Sequence, residues 1–175
     1  MKLSRLSVLA AMFAITAAGH VWAAGGPHGH SHGDPKMSDH KMDARKAALP
    51  FGEPGDAKRP ARPISVVMTD GDGKMAFIPS AIEVKQGDQI KFLLRNNGAT
   101  DHELVLGTLE MNLEHAREMA ENPDMRHEDP NAKRLAPKKT GEILWRFTKV
   151  GEFDFSCLIP GHREAGMTGK IIVKP

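Results

Sequence analysis

The chain holds one cysteine, Cys157, in 175 residues. No disulfide can form within it, which excludes a small domain stapled by cystines. It also lacks any apolar run of the roughly 20 residues that a membrane-crossing helix requires. The one candidate, "LSVLAAMFAITAA" (Leu6 to Ala18), is thirteen residues long. Nor is there an excess of either charge. Lys2 and Arg5 account for two of the 24 basic residues, so the basic and acidic counts without them are equal at 22. That balance argues against a nucleic-acid-binding protein and against an acidic chain disordered throughout. No internal repeat is visible, and no nucleophile–base or acid–base pair stands out.

What is present begins with a leader. Lys2 and Arg5 precede the short apolar run, and "GHVWAAGG" follows it. Cleavage after Ala23 places Val21 and Ala23 at the two restrictive positions, whereas cleavage after Ala24 would place bulky Trp22 at one of them. Residues 1–23 are therefore expected to be a signal peptide, with export to the periplasm and no membrane span after its removal. Residues 24–63 are rich in Gly, Pro, Asp and Lys and poor in β-branched residues. Such a segment buries too little apolar surface to offset the entropy of ordering, so a disordered lead-in is expected there.

From Ile64 to Pro175 the pattern changes to one folded domain. "ISVVMTD", "MAFIPSAIEVKQGDQIKFLLRNN" and "HELVLG" are short β-rich runs separated by Gly, Asp, Asn and Pro, with turns expected at 71–73 and 86–89. In "QIKFLLRNN", Ile90, Phe92 and Leu94 share a face, while Gln89, Lys91 and Arg95 mark partial exposure. "TLEMNLEHAREMAEN" breaks the pattern with helix formers and stops at Asn122-Pro123. Strands return in "EILWRFTK", where Trp145 and Phe147 alternate as core, and in "GEFDFSCL" and "GKIIVKP". Short strands around one helical excursion predict an all-β, antiparallel Greek-key sandwich with a helical insertion.

A lone thiol in an exported protein is exposed to oxidation and mispairing unless something protects or uses it. Cys157 ends a strand in which Phe153 and Phe155 share its face, and a small buried hydrophobe is the commonest fate of free cysteine. Its neighbours point elsewhere. The tight turn "IPGH" carries His162 back toward the strand end, Met167 sits just before the last strand, and His102 opens the strand "HELVL". Two imidazoles, one thiolate and a weak thioether form the ligand set of a mononuclear copper electron-transfer site, whereas zinc has little use for the methionine.

"FIPSAIEVKQGDQIKFLLRNNGATDHELVL" and "GEFDFSCLIPGHREAGMTGKIIV" resemble the two halves of the cupredoxin pattern over about residues 64–175. More narrowly, "TLEMNLEHAREM" followed by "APKKTGEILWRFTKVGEFDFSCLIPGH", behind a His/Met-rich leader, is similar to the periplasmic copper-tolerance cupredoxins of the CopI group. The resemblance implies a cupredoxin β-sandwich and a type 1 copper centre, with His102, Cys157, His162 and Met167 as the ligands. It also exposes a departure. Glu103 follows the first histidine, where an Asn often supports the cysteine loop, and this changes the shell around the ligands.

Further soft donors lie outside that set. His28, His30, His32, Met37, His40 and Met42 crowd into fifteen residues of the leader. They read either as a solvated tail or as weak, exchangeable copper sites. Met111, His115 and Met119 fall at i, i+4 and i+8 on one helical face, with Met125 and His127 close behind. Core packing explains the methionines, and His115 among them points to a second copper site. Asp101, Glu103 and Arg163 flank ligand positions and read equally well as solvated surface or as partner contacts.

Two functions follow for a copper protein of this kind. One is copper binding for tolerance and homeostasis at a redox-active Cu(I)/Cu(II) centre, with copper as the cofactor and a redox or copper-transfer protein as partner. The other is an electron shuttle with His162 as its port among Leu158, Ile159 and Pro160. An independent oxidase is set aside, because Ser156 and Leu158 flank the cysteine where histidines would lead to a second copper cluster.

Overall fold

The computed structural model describes residues 48–123 and 128–175. The expected signal peptide, the leader donors His28, His30, His32, Met37, His40 and Met42, and Met125 and His127 lie outside the described residues. In chain order the elements are β1 (Gly52–Pro54), β2 (Arg62–Gly71), β3 (Lys74–Ile78), β4 (Ala81–Lys85), β5 (Gln89–Asn96), β6 (His102–Gly107), α1 (Leu109–Glu121), β7 (Ala132–Leu135), β8 (Thr140–Phe147), β9 (Gly151–Ser156) and β10 (Thr168–Lys174). They form two five-stranded sheets, ordered β1-β8-β5-β2-β3 and β4-β10-β9-β6-β7.

Alternation along the strands makes this a sandwich. Val66 and Met68 of β2, Ile90, Phe92 and Leu94 of β5, and Ile143, Trp145 and Phe147 of β8 are buried on one inner face. Leu104 and Leu106 of β6, Phe153 and Phe155 of β9, and Ile171 and Val173 of β10 are buried on the other. All belong to one apolar cluster, as expected when side chains of period two from both sheets interdigitate. Phe77 and Phe155 meet edge to face across the layers at 5.1 Å between ring centres.

Three features differ from the sequence reading. Two neighbouring pairs are parallel, β2 with β5 and β4 with β10; alternation reports which face is buried and carries no information on strand direction. The fold also takes up the end of the expected lead-in. Phe51 is buried, stacks on Trp145 at 5.1 Å and tilts against Phe153 at 5.5 Å, while β1 pairs with the edge of β8. One phenylalanine anchors a segment whose composition otherwise reads as linker. Gln89, finally, is buried rather than partly exposed. Its side chain accepts from the Asp56 N–H at 2.8 Å and donates to the Asp56 and Arg59 carbonyls, each at 3.0 Å, so it secures that same segment.

The helical insertion is close to its expected span. Thr108 caps α1, its Oγ1 accepting from the Met111 N–H at 3.1 Å. Asn112 docks the helix: its buried amide donates to the Asp154 carboxylate at 2.7 Å and to the Val105 carbonyl at 3.3 Å. The turn at 71–73 joins β2 to β3 with Asp72 at φ 49° and Gly73 at φ 71°, two left-handed residues as a tight hairpin requires. Among the described residues no helix is long and apolar enough to cross a membrane.

Candidate metal centre

Strand β9 delivers Cys157 to one end of the sandwich. The residues that follow coil into a compact loop. His162 N–H donates to the Ile159 carbonyl at 3.0 Å, Met167 N–H to the His162 carbonyl at 3.0 Å, and Cys157 N–H to the Met167 carbonyl at 3.1 Å. Gly161 and Gly166, at φ 85° and 102°, supply the left-handed turns that a side chain would oppose. Cys157 and Met167 are thus stapled backbone to backbone, with the Met167 side chain buried beside the core.

The second strut is β6. It pairs with β9 at Val105↔Ser156, so its first residues run on beside the cysteine loop. His102 and Cys157 are fully buried, and His162 is half-buried at the rim. His102 Nδ1 lies 3.2 Å from His162 Nδ1, and Cys157 Sγ lies 3.3 Å from His162 Nδ1. All three donor atoms fall within 4.8 Å of one another, the one such His/Cys/Asp/Glu group among the described residues.

This donor set fits a soft or borderline ion. Burial pushes the Cys157 thiol up to about 12, so a cation in contact with sulfur is what would hold it as thiolate near neutral pH. Burial, followed by the neighbouring His102, pulls His162 below the ordinary imidazole value and keeps its ring a neutral donor. Sulfur, two imidazoles and a buried thioether close by suit copper better than magnesium or calcium.

The surrounding shell contains residues that motif reading passed over. Asp70, on β2 of the opposite sheet, reaches His102 Nε2 at 3.1 Å. The Ala99 N–H, aided by the Thr100 hydroxyl and N–H and by His102, holds its carboxyl well below the usual carboxylate range. Asn96 is buried and donates to the Thr100 and Leu135 carbonyls at 2.8 and 2.9 Å, shaping the loop into His102. Both signals were available only as polar residues at strand ends.

The reading of Glu103 as solvated surface is corrected. It is buried, its Oε1 accepts from the Leu158 N–H at 3.0 Å, and its own N–H points at Cys157 Sγ at 3.4 Å. Glu103 therefore ties the start of β6 to the loop that follows Cys157. Arg163 also turns inward, to the Asp154 carboxylate at 3.0 Å and to Ser156. Asp101 pairs with Arg134 at 3.2 Å.

The helical stripe separates. Met119 is fully buried and Met111 packs against the core, as plain packing predicts. His115 is about one quarter exposed, lies 3.5 Å from Glu118, and lines a cavity of about 110 Å³ with Met111 and Asn112. Met119 is not among the residues lining that cavity.

The family described as copper binding proteins, plastocyanin/azurin family, matches residues 64–174. The chain is 45% identical over 169 residues to the copper-resistant cuproprotein CopI of Rubrivivax gelatinosus, covering 97% of this chain and 94% of that one. It is 36% identical over 154 residues to CopI of Pseudomonas aeruginosa, covering 71% and 83%. Among solved structures, the reduced auracyanin of Roseiflexus castenholzii superposes with a TM-score of 0.52 at 23% identity, covering 63% of this chain and 97% of that one. That likeness shows the same fold. On these matches the chain belongs to the plastocyanin/azurin family of copper-binding proteins, and copper is its implied cofactor.

Proposed function

We propose that this protein is exported to the periplasm and contributes to copper tolerance by holding one copper ion at His102, Cys157 and His162, with Met167 as a weak fourth ligand. The observation that carries the reading is the convergence of three donor atoms on stapled, mostly buried loops, with His162 Nδ1 3.2 Å from His102 Nδ1 and 3.3 Å from Cys157 Sγ. Copper bound there supplies a one-electron couple. The chain does the rest. The bond from Cys157 N–H to Met167 and the Glu103 bridge hold the donors in place, so that either oxidation state meets nearly one geometry. Burial of Cys157 and His102 keeps water from the sulfur. Likeness to CopI proteins, described as copper-resistant, favours tolerance as the role. The protein is read as a binding protein rather than an enzyme.

A shuttle is the second reading, favoured by His162 reaching the surface beside half-buried Ile159 and exposed Pro160. Growth of a deletion strain across a copper series separates the two, with the wild-type and Cys157→Ser genes returned in parallel. Copper sensitivity rescued by the wild type alone is expected. Normal copper tolerance with impaired respiration would instead establish the shuttle.

The leader is assigned weak, exchangeable copper binding, because His28, His30, His32, Met37, His40 and Met42 place six donors suited to labile copper within fifteen residues. Deleting residues 28–42 is expected to lower the copper bound per chain in equilibrium dialysis and to leave the visible spectrum intact. Loss of the visible band in that truncation would contradict a separate role.

A further inference from the structure

We infer that Asp70 is a positioning residue of the metal centre, which locks His102 in the tautomer that presents Nδ1 to the ion and biases bound copper toward Cu(II). This rests on the reading of His102 as a ligand. A carboxylate can only accept hydrogen bonds, so Nε2 of His102, 3.1 Å from Asp70 Oδ2, must carry the proton. The lone pair is then left on Nδ1, the atom that faces His162 Nδ1 at 3.2 Å. A ligating imidazole whose far nitrogen donates to an anion is a stronger base than one bonded to a neutral carbonyl. Stronger donation favours the more highly charged ion.

The geometry makes this a built contact. Asp70 cannot swing away: its carboxylate also accepts from the Ala99 N–H at 2.8 Å, the Thr100 N–H at 3.1 Å and the Thr100 hydroxyl at 2.9 Å. His102 cannot turn either, being fully buried. Gly98 leaves the space. A Cβ there would lie 2.6 Å from Asp70 Oδ2 and 2.7 Å from His102 Nε2, so any side chain would wedge the pair apart. The bond also spans the sandwich, from β2 of one sheet to β6 of the other, and so aligns the ligand with the scaffold rather than with its own loop. A residue that merely shaped the 97–101 loop would need the Ala99 and Thr100 contacts and not the one to Nε2.

Asp70→Asn tests this, because the amide oxygen can still accept from the same donors while the charge is lost. Two measurements are made, on the copper-loaded and on the metal-free protein. In the loaded variant, Cu(II) affinity is expected to fall about tenfold more than Cu(I) affinity, within the roughly 10–100-fold effect of outer-shell partners. That tenfold difference reads as a rise in midpoint potential of about 59 mV for one electron. In the metal-free variant, the His102 Nε2 proton, seen by nitrogen–proton NMR, is expected to move upfield as its acceptor weakens. Gly98→Ala, which keeps the Asp70 carboxylate in the sequence but wedges it from His102, is expected to shift both readouts in the same directions. A midpoint potential unchanged in Asp70→Asn overturns the inference, as does a wild-type His102 protonated on Nδ1. Failure of the underlying ligand assignment looks different: the wild-type protein would then show no intense visible band to titrate, while the NMR measurement would still report the Asp70–His102 bond.

Discussion

Replacing Cys157 with serine is expected to abolish the intense visible absorption of the copper(II)-loaded protein and leave the sandwich folded. The absorption of such centres comes from charge transfer out of a thiolate, and a hydroxyl offers no comparable donor orbital. Serine is also a hard oxygen donor that stays protonated at neutral pH, so copper(II) affinity should fall beyond the roughly 10–100-fold typical of outer-shell changes. The fold should survive because the volume change is small and the serine oxygen can still accept from the Glu103 N–H, which now points at sulfur. Absorption and far-ultraviolet circular dichroism on the same sample decide the matter. An unchanged visible spectrum would remove Cys157 from the centre and take the copper assignment with it.

The second large effect is on stability. Phe155→Ala is expected to cost about 3–5 kcal/mol, the range for emptying a buried aromatic site. The ring is fully buried and meets Phe77 edge to face at 5.1 Å, so the loss removes a contact between the two sheets. Collapse into the space is limited from below. Gly169 lies so close that a Cβ there would sit 2.2 Å from the Phe155 ring, and its backbone is fixed in the ladder between β10 and β9. Urea titration of the metal-free proteins is the suitable measurement, since bound copper would add its own linkage to the folded state. The midpoint should drop with an unchanged slope. A loss under about 1 kcal/mol would mean that the sheets close over the cavity far better than rigid ladders allow. Phe155 also shares its strand face with Cys157, two residues on, so local loosening should broaden the visible band in the loaded variant.

How much of this was legible beforehand differs from element to element. The inner-face positions on β2, β5, β8 and β9 follow from apolar alternation, because strand side chains repeat every two residues whatever the sheet topology. The helix start at Thr108 and its stop near Asn122-Pro123 follow from local capping chemistry, which needs no distant partner. The pairing of β2 with β5, the early anchoring by Phe51 and the burial of Gln89 do not follow. Each depends on residues dozens of positions away, and composition around residues 48–63 has the look of a linker.

The site divides along the same line. Cys157, His162 and Met167 sit within one short loop, and His102 opens a strand after a recognisable turn. Their types and spacing alone point to the soft-metal ligand set proposed above, since the chemistry of a donor is carried by the side chain itself. Which polar groups stand behind those donors was decided only when the sheets packed. Asp70 lies 32 residues before His102, and the two meet because the end of β2 in one sheet comes against the start of β6 in the other. Glu103 became a bridge instead of a surface charge because the β6–β9 register carries it alongside Leu158. Side-chain chemistry is local and so is written in the sequence. The outer shell that tunes it is made of contacts between elements remote in the chain, which only the folded sandwich brings together.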